Sequence, residues 1–251
     1  MLRVGLIGFG AIGRGVAEFV DPASPIRLVG AMVRSSRKHL TSLPLTESFE
    51  ELLALRPDVV AEAAGHDALR RYGPTCLRAG VPLAVLSVGA LADEAFEREI
   101  REAARDGGAV ATVVSGAVGG LDLIASAAIG ELTTVRHTIT KPPKTLGLNE
   151  CDRGEVFHGS AREAAKQYPQ NANVAAAVAL AGIGLDRTRV VVQADPSADR
   201  NRHQIEISGE FGDAKLTIAG RPSAANPATG ALVAMSLKHH LEKRTSSIVI
   251  G

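Results

Sequence analysis

The sequence has few aromatic residues and almost no excess of charge. Aromatic side chains make up 3% of the 251 residues, and tryptophan is absent. The chain therefore offers few of the stacking surfaces that proteins use to bind single-stranded nucleic acid. The formal net charge of +1 provides no electrostatic attraction for nucleic acid or for an anionic membrane. We expect neither nucleic acid nor a membrane among the partners.

Cysteine and long hydrophobic runs are also scarce. The two cysteines, Cys76 and Cys151, are too few for a disulfide framework or a paired-cysteine metal site. No apolar run is long enough to span a bilayer, and the chain enters a predicted strand at once, without a signal-peptide pattern. We expect a cytoplasmic globular protein, with an aliphatic core and without a metal.

The most specific motif lies near residue 10. An apolar run from Leu2 to Ile7 predicts a buried strand, and an amphipathic helix is predicted from Ala11 to Val20. The intervening segment fits G-x-G-x-x-G, in which the first glycine makes a tight turn, the second admits a pyrophosphate and the third lets helix and strand pack closely. The alternative is a glycine-rich turn that binds nothing. The residues predicted to bind a dinucleotide here are Gly8, Gly10, Ala11, Ile12 and Gly13.

Strand and helix patterns alternate up to residue 115. Strands are predicted over 27–33, 58–64, 81–88 and 109–115, and helices over 49–55, 67–79 and 93–105. This alternation predicts an α/β fold with a doubly wound parallel sheet of the Rossmann type. Ligands of such sheets bind at the carboxyl ends of the strands. Ala64 and Gly65 end a predicted strand, so we expect them beside the cofactor.

The second predicted strand ends without an acidic residue. Dinucleotide folds often place Asp or Glu there to bind the ribose 2′-hydroxyl of NAD, whereas this chain has Arg34-Ser35-Ser36-Arg37-Lys38. An arginine can meet a 2′-phosphate. Arg34 and Ser35 therefore predict NADP, or the use of both NAD and NADP. The alternative is a loop of solvated charges.

After residue 116 the pattern changes to that of a second, α+β domain with an antiparallel or mixed sheet. Helices are predicted over 121–129, 160–167 and 173–181, and strands over 133–140, 188–194, 202–209 and 214–219. Asn226-Pro227 is predicted to open a last helix that ends at Lys243 and packs back on the first domain. We therefore expect a dinucleotide-binding domain over 1–116 together with the helix 226–243, and a substrate and dimerisation domain over 117–225.

Three polar clusters in the second domain offer groups for a substrate. His203 enters a predicted strand and can exchange protons near neutral pH, although a surface or structural histidine fits the residue type as well. Asn171 and Asn173 can cap the helix that follows them or meet a ligand. Lys141, in Lys141-Pro142-Pro143-Lys144, can hold a carboxylate, although surface lysines usually have no specific role. No HExxH, GxSxG or GxxxxGK[ST] motif is present.

Several blocks resemble the L-aspartate dehydrogenases, in the same order and over nearly the whole chain. They are Gly8-Phe9-Gly10-Ala11-Ile12-Gly13, Ser115-Gly116-Ala117-Val118-Gly119-Gly120-Leu121-Asp122, Thr140-Lys141-Pro142-Pro143, Asn171-Ala172-Asn173-Val174-Ala175-Ala176, Asn201-Arg202-His203-Gln204-Ile205 and Asn226-Pro227-Ala228-Thr229-Gly230.

The resemblance implies an enzyme that converts L-aspartate and NAD(P)+ to iminoaspartate, which water hydrolyses to oxaloacetate and ammonia. In some organisms the iminoaspartate feeds NAD biosynthesis. The resemblance also implies that His203 is the catalytic histidine and that Ala117 and Asn173 contact the nicotinamide cofactor. It supports the expectation of a homodimer formed through the sheet of the second domain.

Two other classes of protein fit the same patterns. One is another two-domain NAD(P) oxidoreductase, of the homoserine dehydrogenase or dihydrodipicolinate reductase type. An aspartate-semialdehyde dehydrogenase variant would need a cysteine nucleophile, and Cys151 has no activating context in the sequence. The other class is a non-enzymatic dinucleotide sensor, against which the histidine-bearing second domain argues.

Overall fold

The computed structural model describes residues 1–34, 41–168, 172–223 and 226–250. The chain forms two compact units: the first unit comprises Met1–Gly116 and Val233–Gly251, and the second unit comprises Ala117–Leu232. Within the described ranges, no helix combines the length and apolar character needed to cross a membrane.

The first unit contains a six-stranded sheet in the order β3-β2-β1-β4-β5-β6, and all of its strand pairs are parallel. This is the strand order of the Rossmann fold, and it confirms the predicted fold class. The strands are β1 (Leu2–Ile7), β2 (Ile26–Met32), β3 (Leu45–Thr46), β4 (Val59–Glu62), β5 (Leu83–Val85) and β6 (Ala111–Val113).

Five α-helices carry residues of the first unit: α1 (Ala11–Phe19), α2 (Phe49–Ala54), α3 (His66–Arg78), α4 (Glu94–Asp106) and α8 (Leu232–Lys243). Local capping fixes the start of two of them. Ser48 accepts a hydrogen bond from the backbone N–H of Glu51 at α2, and Asp93 accepts two at α4. The strand predicted over 81–88 is shorter than expected, because a 3-10 helix, Val88–Ala92, follows β5.

Aliphatic side chains fill the core of the first unit. Val4 and Leu6 of β1 pack in one cluster with Leu237 and Leu241 of α8, and all four are fully buried. The last helix of the chain therefore supplies part of the core beneath the first strand.

The second unit contains a five-stranded sheet in the order β11-β10-β7-β9-β8. β7 and β9 are parallel and the other pairs are antiparallel, so the sheet is mixed. The strands are β7 (Leu132–Lys141), β8 (Gly154–Ser160), β9 (Arg189–Ala194), β10 (Arg202–Gly209) and β11 (Gly212–Ala219). The helices are α5 (Leu121–Ala127), α6 (Ala161–Gln167) and α7 (Ala172–Ala181).

Burial alternates along β10, where His203, Ile205 and Ile207 are buried and the residues between them are more exposed. This period of two places the three side chains on one face of the sheet. Side chains from α5 and α7 pack against that face, including Ile124 and Val178. The covered face holds the polar groups described below.

The prediction of a helix beginning at Asn226-Pro227 is wrong. Asn226–Gly230 forms strand β13, which pairs antiparallel with β12 (Pro222–Ser223), and α8 begins at Leu232. A residue before proline is disfavoured in the α region and is driven to an extended conformation, which favours the strand at Asn226. The sequence patterns also missed β8. Its side chains are mostly exposed or half-buried and do not alternate regularly between the two.

Candidate active site

Three glycines shape the turn between β1 and α1. Gly8 has a φ of +96°, and a Cβ placed there would lie 2.8 Å from the Cβ of Ala64. A Cβ at Gly13 would lie 2.5 Å from the carbonyl oxygen of Gly8, so α1 packs directly on the turn. A Cβ at Gly10 would meet no atom within 4 Å. The space in front of the helix is therefore open.

The start of α1 fits a pyrophosphate. Gly10 caps the helix without a side-chain hydrogen bond, and the first turn contains no acidic residue. Backbone N–H groups of a first turn lack partners within their own helix, and here they belong to Ala11, Ile12 and Gly13. These donors, the positive end of the helix dipole and the open space at Gly10 suit a phosphate group.

The end of β4 lies against the same turn. Ala64 makes the close approach to Gly8, and Gly65, with a φ of +113°, precedes the first residue of α3, His66. The structure thus brings two of the predicted cofactor residues, Ala64 and Gly65, to the glycine-rich turn. His66 begins a helix, as the sequence indicated.

A buried carboxylate, which the sequence patterns did not single out, organises this edge of the sheet. Glu62 is fully buried. Its Oε1 accepts hydrogen bonds from the N–H groups of Ala64 and Gly65 and from the hydroxyl of Ser87, at 2.8 to 2.9 Å. Its Oε2 accepts one from the N–H of Ser87 at 3.0 Å. Burial raises the pKa of Glu62, while these donors act in the opposite direction.

Glu62 therefore ties the end of β4 to the end of β5 and holds the segment that follows β4. A detectable signal was present in the sequence. Glu62 is the only charged residue between Val59 and Ala64, in a strand whose other residues are apolar, and a charge in such a place is seldom buried without partners.

Arg34 lies two residues beyond the end of β2 and is exposed. It forms no salt bridge with any carboxylate in the part of the chain that the structure describes. Ser35, the other residue predicted to distinguish NAD from NADP, lies outside the described residues.

In the second unit, three ionisable side chains meet on the covered face of the sheet. His203 on β10 lies opposite Ile139 on β7, and His137 and Lys141 lie two residues to either side of Ile139. Residues two apart on a strand share a face, so the three side chains point to the same side. Nε2 of His137 is 3.1 Å from Nδ1 of His203. The two rings are nearly parallel, at 22°.

All three of these side chains are buried, with exposed fractions of 0% for His137, 8% for His203 and 9% for Lys141. The alternative of a surface lysine at position 141 does not apply, because β7 continues to Lys141 and carries it into the covered sheet. His137 was missed in the sequence, since only the pairing of β7 with β10 brings it to His203.

Burial governs the protonation of the cluster. It lowers the pKa of His203 to about 4, with a further contribution from the Lys141 cation. Burial and then His203 lower the pKa of His137 well below its usual range. Burial also lowers the pKa of Lys141. Both imidazoles are therefore neutral at pH 7 in the ligand-free protein.

Two further segments reach the same apolar cluster. Val118 and Val174, the residues directly after Ala117 and Asn173, belong to the apolar cluster that contains Ile205, which lies two residues beyond His203. The structure thus brings the chain around Ala117, Asn173 and His203 together within the second unit. Asn173 is the second residue of α7 and not its cap. Asn171 lies outside the described residues.

Cys76 does not lie in a reactive setting. Cys76 is buried on α3, and burial raises the pKa of its thiol to about 12; Cys151 is exposed. Among the described residues, no group of three or more His, Cys, Asp or Glu side chains could hold a metal ion.

Comparisons with known proteins match both units. Residues 8–113 match the family model of the homoserine dehydrogenase NAD-binding domain, and residues 122–244 match the C-terminal domain of aspartate dehydrogenase. The chain is 40% identical to an L-aspartate dehydrogenase of Pseudomonas aeruginosa, with 100% of both chains covered. It is 43% identical to one of Ruegeria pomeroyi, covering 98% of this chain and 94% of the relative.

A solved structure of aspartate dehydrogenase from Thermotoga maritima has a TM-score of 0.85 and 30% sequence identity, with 100% of both chains covered. These matches place the chain among the dehydrogenases that use a nicotinamide dinucleotide. The matches extend over both units, and the sequence identities are 30–43%. They therefore also identify the family within this class of dehydrogenases. The chain belongs to the L-aspartate dehydrogenase family.

The glycine turn yields a prediction with two matched variants. Gly13→Ala forces a Cβ onto a backbone oxygen, and overpacking of this kind costs about 1–3 kcal/mol of unfolding free energy. Gly10→Ala costs at most about 1 kcal/mol, yet it fills the open space and weakens the binding of the cofactor.

Urea unfolding followed by circular dichroism measures the first effect. Titration of the fluorescence of NADH and NADPH measures the second. Wild-type affinity for NADH and NADPH in Gly10→Ala would contradict the placement of the pyrophosphate.

Proposed function

We propose that the protein catalyses the reversible, NAD(P)-dependent oxidative deamination of L-aspartate to iminoaspartate, which water hydrolyses to oxaloacetate and ammonia. Membership of the family supports this reaction. The observation that carries the proposal is the buried cluster of His203 and Lys141, because a dicarboxylic amino acid needs a proton acceptor and a cation at the same place. When bound, the nicotinamide ring supplies the hydride acceptor.

His203 is proposed as the general acid and base. The substrate ammonium must lose a proton before hydride can leave Cα, and His203 accepts this proton. After His203 has released this proton to solvent, it can take a proton from the water that attacks the imine carbon and return it to the nitrogen, which then leaves as ammonia. A histidine can serve in both steps, because it takes up and releases one proton near neutral pH.

Lys141 is proposed to pair with a substrate carboxylate, and Asn171 is a second candidate for substrate binding. The carboxylates also explain how His203 becomes an effective base. In the ligand-free protein its pKa of about 4 is low for a base that works near pH 7. Negative charge beside Lys141 offsets the effect of that cation and raises the pKa of His203 towards neutrality.

The cofactor residues are proposed for each unit separately, from the glycine-rich turn in the first unit and from the family resemblance in the second. In the first unit, the turn containing Gly8, Gly10, Ala11, Ile12 and Gly13 binds the pyrophosphate, and Ala64 and Gly65 border it. In the second unit, Ala117 and Asn173 contact the nicotinamide portion. Arg34 and Ser35 are proposed to face the adenosine ribose, and Arg34 makes NADP acceptable as well as NAD.

We propose in addition a cytoplasmic homodimer, formed through the sheet of the second unit, and a supply of iminoaspartate to NAD biosynthesis. The sheet has the edge strands β11 and β8, and edge strands favour coverage by a partner. Sedimentation equilibrium tests the assembly, and a monomer mass at assay concentrations would contradict it.

Purified protein should reduce NAD+ or NADP+ on addition of L-aspartate, measured by the absorbance of the reduced nicotinamide. It should not do so with D-aspartate, L-glutamate or L-homoserine. His203→Ala should lower turnover by about 10²–10⁴-fold, the usual contribution of general acid and base catalysis, and leave NADH binding intact.

His158→Ala is the matched control, since His158 is an exposed histidine of the same sheet, and its turnover should equal that of the wild type. Near-normal turnover in His203→Ala would exclude the catalytic assignment. Turnover with L-homoserine in place of L-aspartate would exclude the proposed reaction.

Lys141→Met tests the carboxylate partner. Loss of one charge-assisted hydrogen bond, about 1.5–3 kcal/mol, should raise KM for L-aspartate by roughly 10- to 100-fold. Because Lys141 lowers the pKa of His203, its removal should also shift the acidic limb of the kcat/KM profile to higher pH. Lys166→Met, at an exposed position of α6, should change neither value. An unchanged KM in Lys141→Met would show that another group binds the substrate.

Arg34→Ala tests the choice of cofactor. If Arg34 meets the 2′-phosphate, the variant should lose about 10-fold or more in kcat/KM for NADP+, the equivalent of one charge-assisted hydrogen bond, and little for NAD+. Arg27→Ala, at an exposed position at the other end of β2, should leave the ratio of the two cofactors unchanged. Equal losses for both cofactors in Arg34→Ala would contradict the proposal.

A further inference from the structure

We propose that His137 is a positioning residue that accepts a hydrogen bond from Nδ1–H of His203 and so leaves Nε2 of His203 as the nitrogen that exchanges the substrate proton. The catalytic consequence rests on the proposed function. The hydrogen bond itself is a property of the ligand-free protein and can be tested without any turnover.

Only one hydrogen atom lies between the two facing ring nitrogens. Nε2 of His137 and Nδ1 of His203 lie 3.1 Å apart, a normal hydrogen-bond distance. One of the two nitrogens therefore carries the hydrogen and the other accepts it. The direction of this bond decides which nitrogen of His203 is protonated.

The direction of this hydrogen bond follows from which of the two histidines binds an additional proton. Two histidines in contact cannot both become cations without strong repulsion, so the pair takes up one additional proton. His137 is fully buried, whereas His203 keeps 8% of its surface exposed, so His203 receives the proton. A His203 cation carries hydrogens on both ring nitrogens, and Nε2 of His137 must then accept from Nδ1 of His203.

His203 also donates this hydrogen bond to His137 before it accepts the substrate proton. A base that accepts at Nε2 must have Nε2 bare, and a neutral imidazole then carries its hydrogen on Nδ1. His203 thus keeps one hydrogen bond to His137 throughout the cycle, and its ring does not have to turn. For the same reason His137 carries its own hydrogen on Nδ1.

This arrangement is energetically unfavourable at the second ring nitrogen of His137. Nδ1 of His137 is buried and has no hydrogen-bond partner among the described residues. A buried donor without an acceptor is unfavourable, and each such group in a folded protein needs a structural or functional explanation. The unpartnered nitrogen is therefore an expected mark of a histidine that serves its neighbour.

Among the residues that the structure describes, no other ionisable group lies in position for this role. The charged or titratable groups that act on His203 are Lys141 and His137, both on β7. On the other side, β11 places Ile218 opposite His203, and α5 and α7 contribute apolar side chains to this face. A lysine can only donate, so His137 is the acceptor available to Nδ1–H.

The first test is ¹⁵N NMR of the whole, cofactor-free chain labelled in histidine, with the signals of His203 and His137 assigned from His203→Asn and His137→Gln. We expect Nδ1 of His203 in the protonated range and Nε2 in the unprotonated range at neutral pH. The opposite assignment would overturn the proposal, whatever the activity of the protein.

The second test compares two variants at position 137. His137→Phe keeps the ring shape but removes the acceptor, and we expect kcat to fall by about 10- to 100-fold with a smaller change in KM. His137→Gln retains an acceptor in its side-chain amide and should recover most of kcat.

The pH profile separates a positioning role from a merely structural one. Loss of the acceptor destabilises the His203 cation, so the acidic limb of kcat/KM in His137→Phe should move to lower pH. A variant that only loosens the packing would let water reach His203 and move this limb to higher pH, which would count against the proposal. If NMR gives the expected tautomer but L-aspartate is not turned over, the proposed function fails and the hydrogen bond remains.

Discussion

Desolvation is the largest influence on the pKa of four buried ionisable groups at the two candidate sites. Glu62 in the first unit and His137, His203 and Lys141 in the second are each at most 9% exposed. Buried charge is tolerated only where partners replace water. Glu62 has three N–H groups and a hydroxyl as partners. The histidines avoid the cost by remaining neutral, which makes their protonation sensitive to any ligand charge placed beside them.

These two responses to burial correspond to two different tasks. The fully hydrogen-bonded carboxylate of Glu62 holds backbone segments in place, and its donors would be left unpaired by any movement. In the histidine pair, Nδ1 of His137 has no hydrogen-bond partner among the described residues. Under the proposed function, the Glu62 carboxylate would keep the glycine-rich turn fixed, and the histidine pair would supply a base whose pKa responds to the substrate.

Much of the fold was predictable because local patterns and long-range packing agree. The glycine turn, the alternation of strands and helices, and His203 near the start of β10 all follow from sequence spacing. His137 and the burial of Lys141 did not follow, because they depend on the register of β7 against β10. The alternation of residues within one strand does not reveal which residues of the neighbouring strand lie opposite.

The error at Asn226 has a related origin. Asn followed by Pro is compatible with the start of a helix and with an extended segment, and the pairing of Pro222 with Gly230 decides between them. Glu62 is a different case, since a lone acid in an apolar strand was visible in the sequence. Its role became clear only when the end of β5 brought Ser87 to it.

The return of α8 to the core of the first unit has a consequence for the order of synthesis. Leu237 and Leu241 pack with Val4 and Leu6, yet the ribosome makes them after the entire second unit. A nascent chain that has reached Gly116 holds all six strands of the first sheet and still lacks part of the apolar cover for β1. The first unit is discontinuous in sequence, so its apolar core can be completed only after the second unit has been translated.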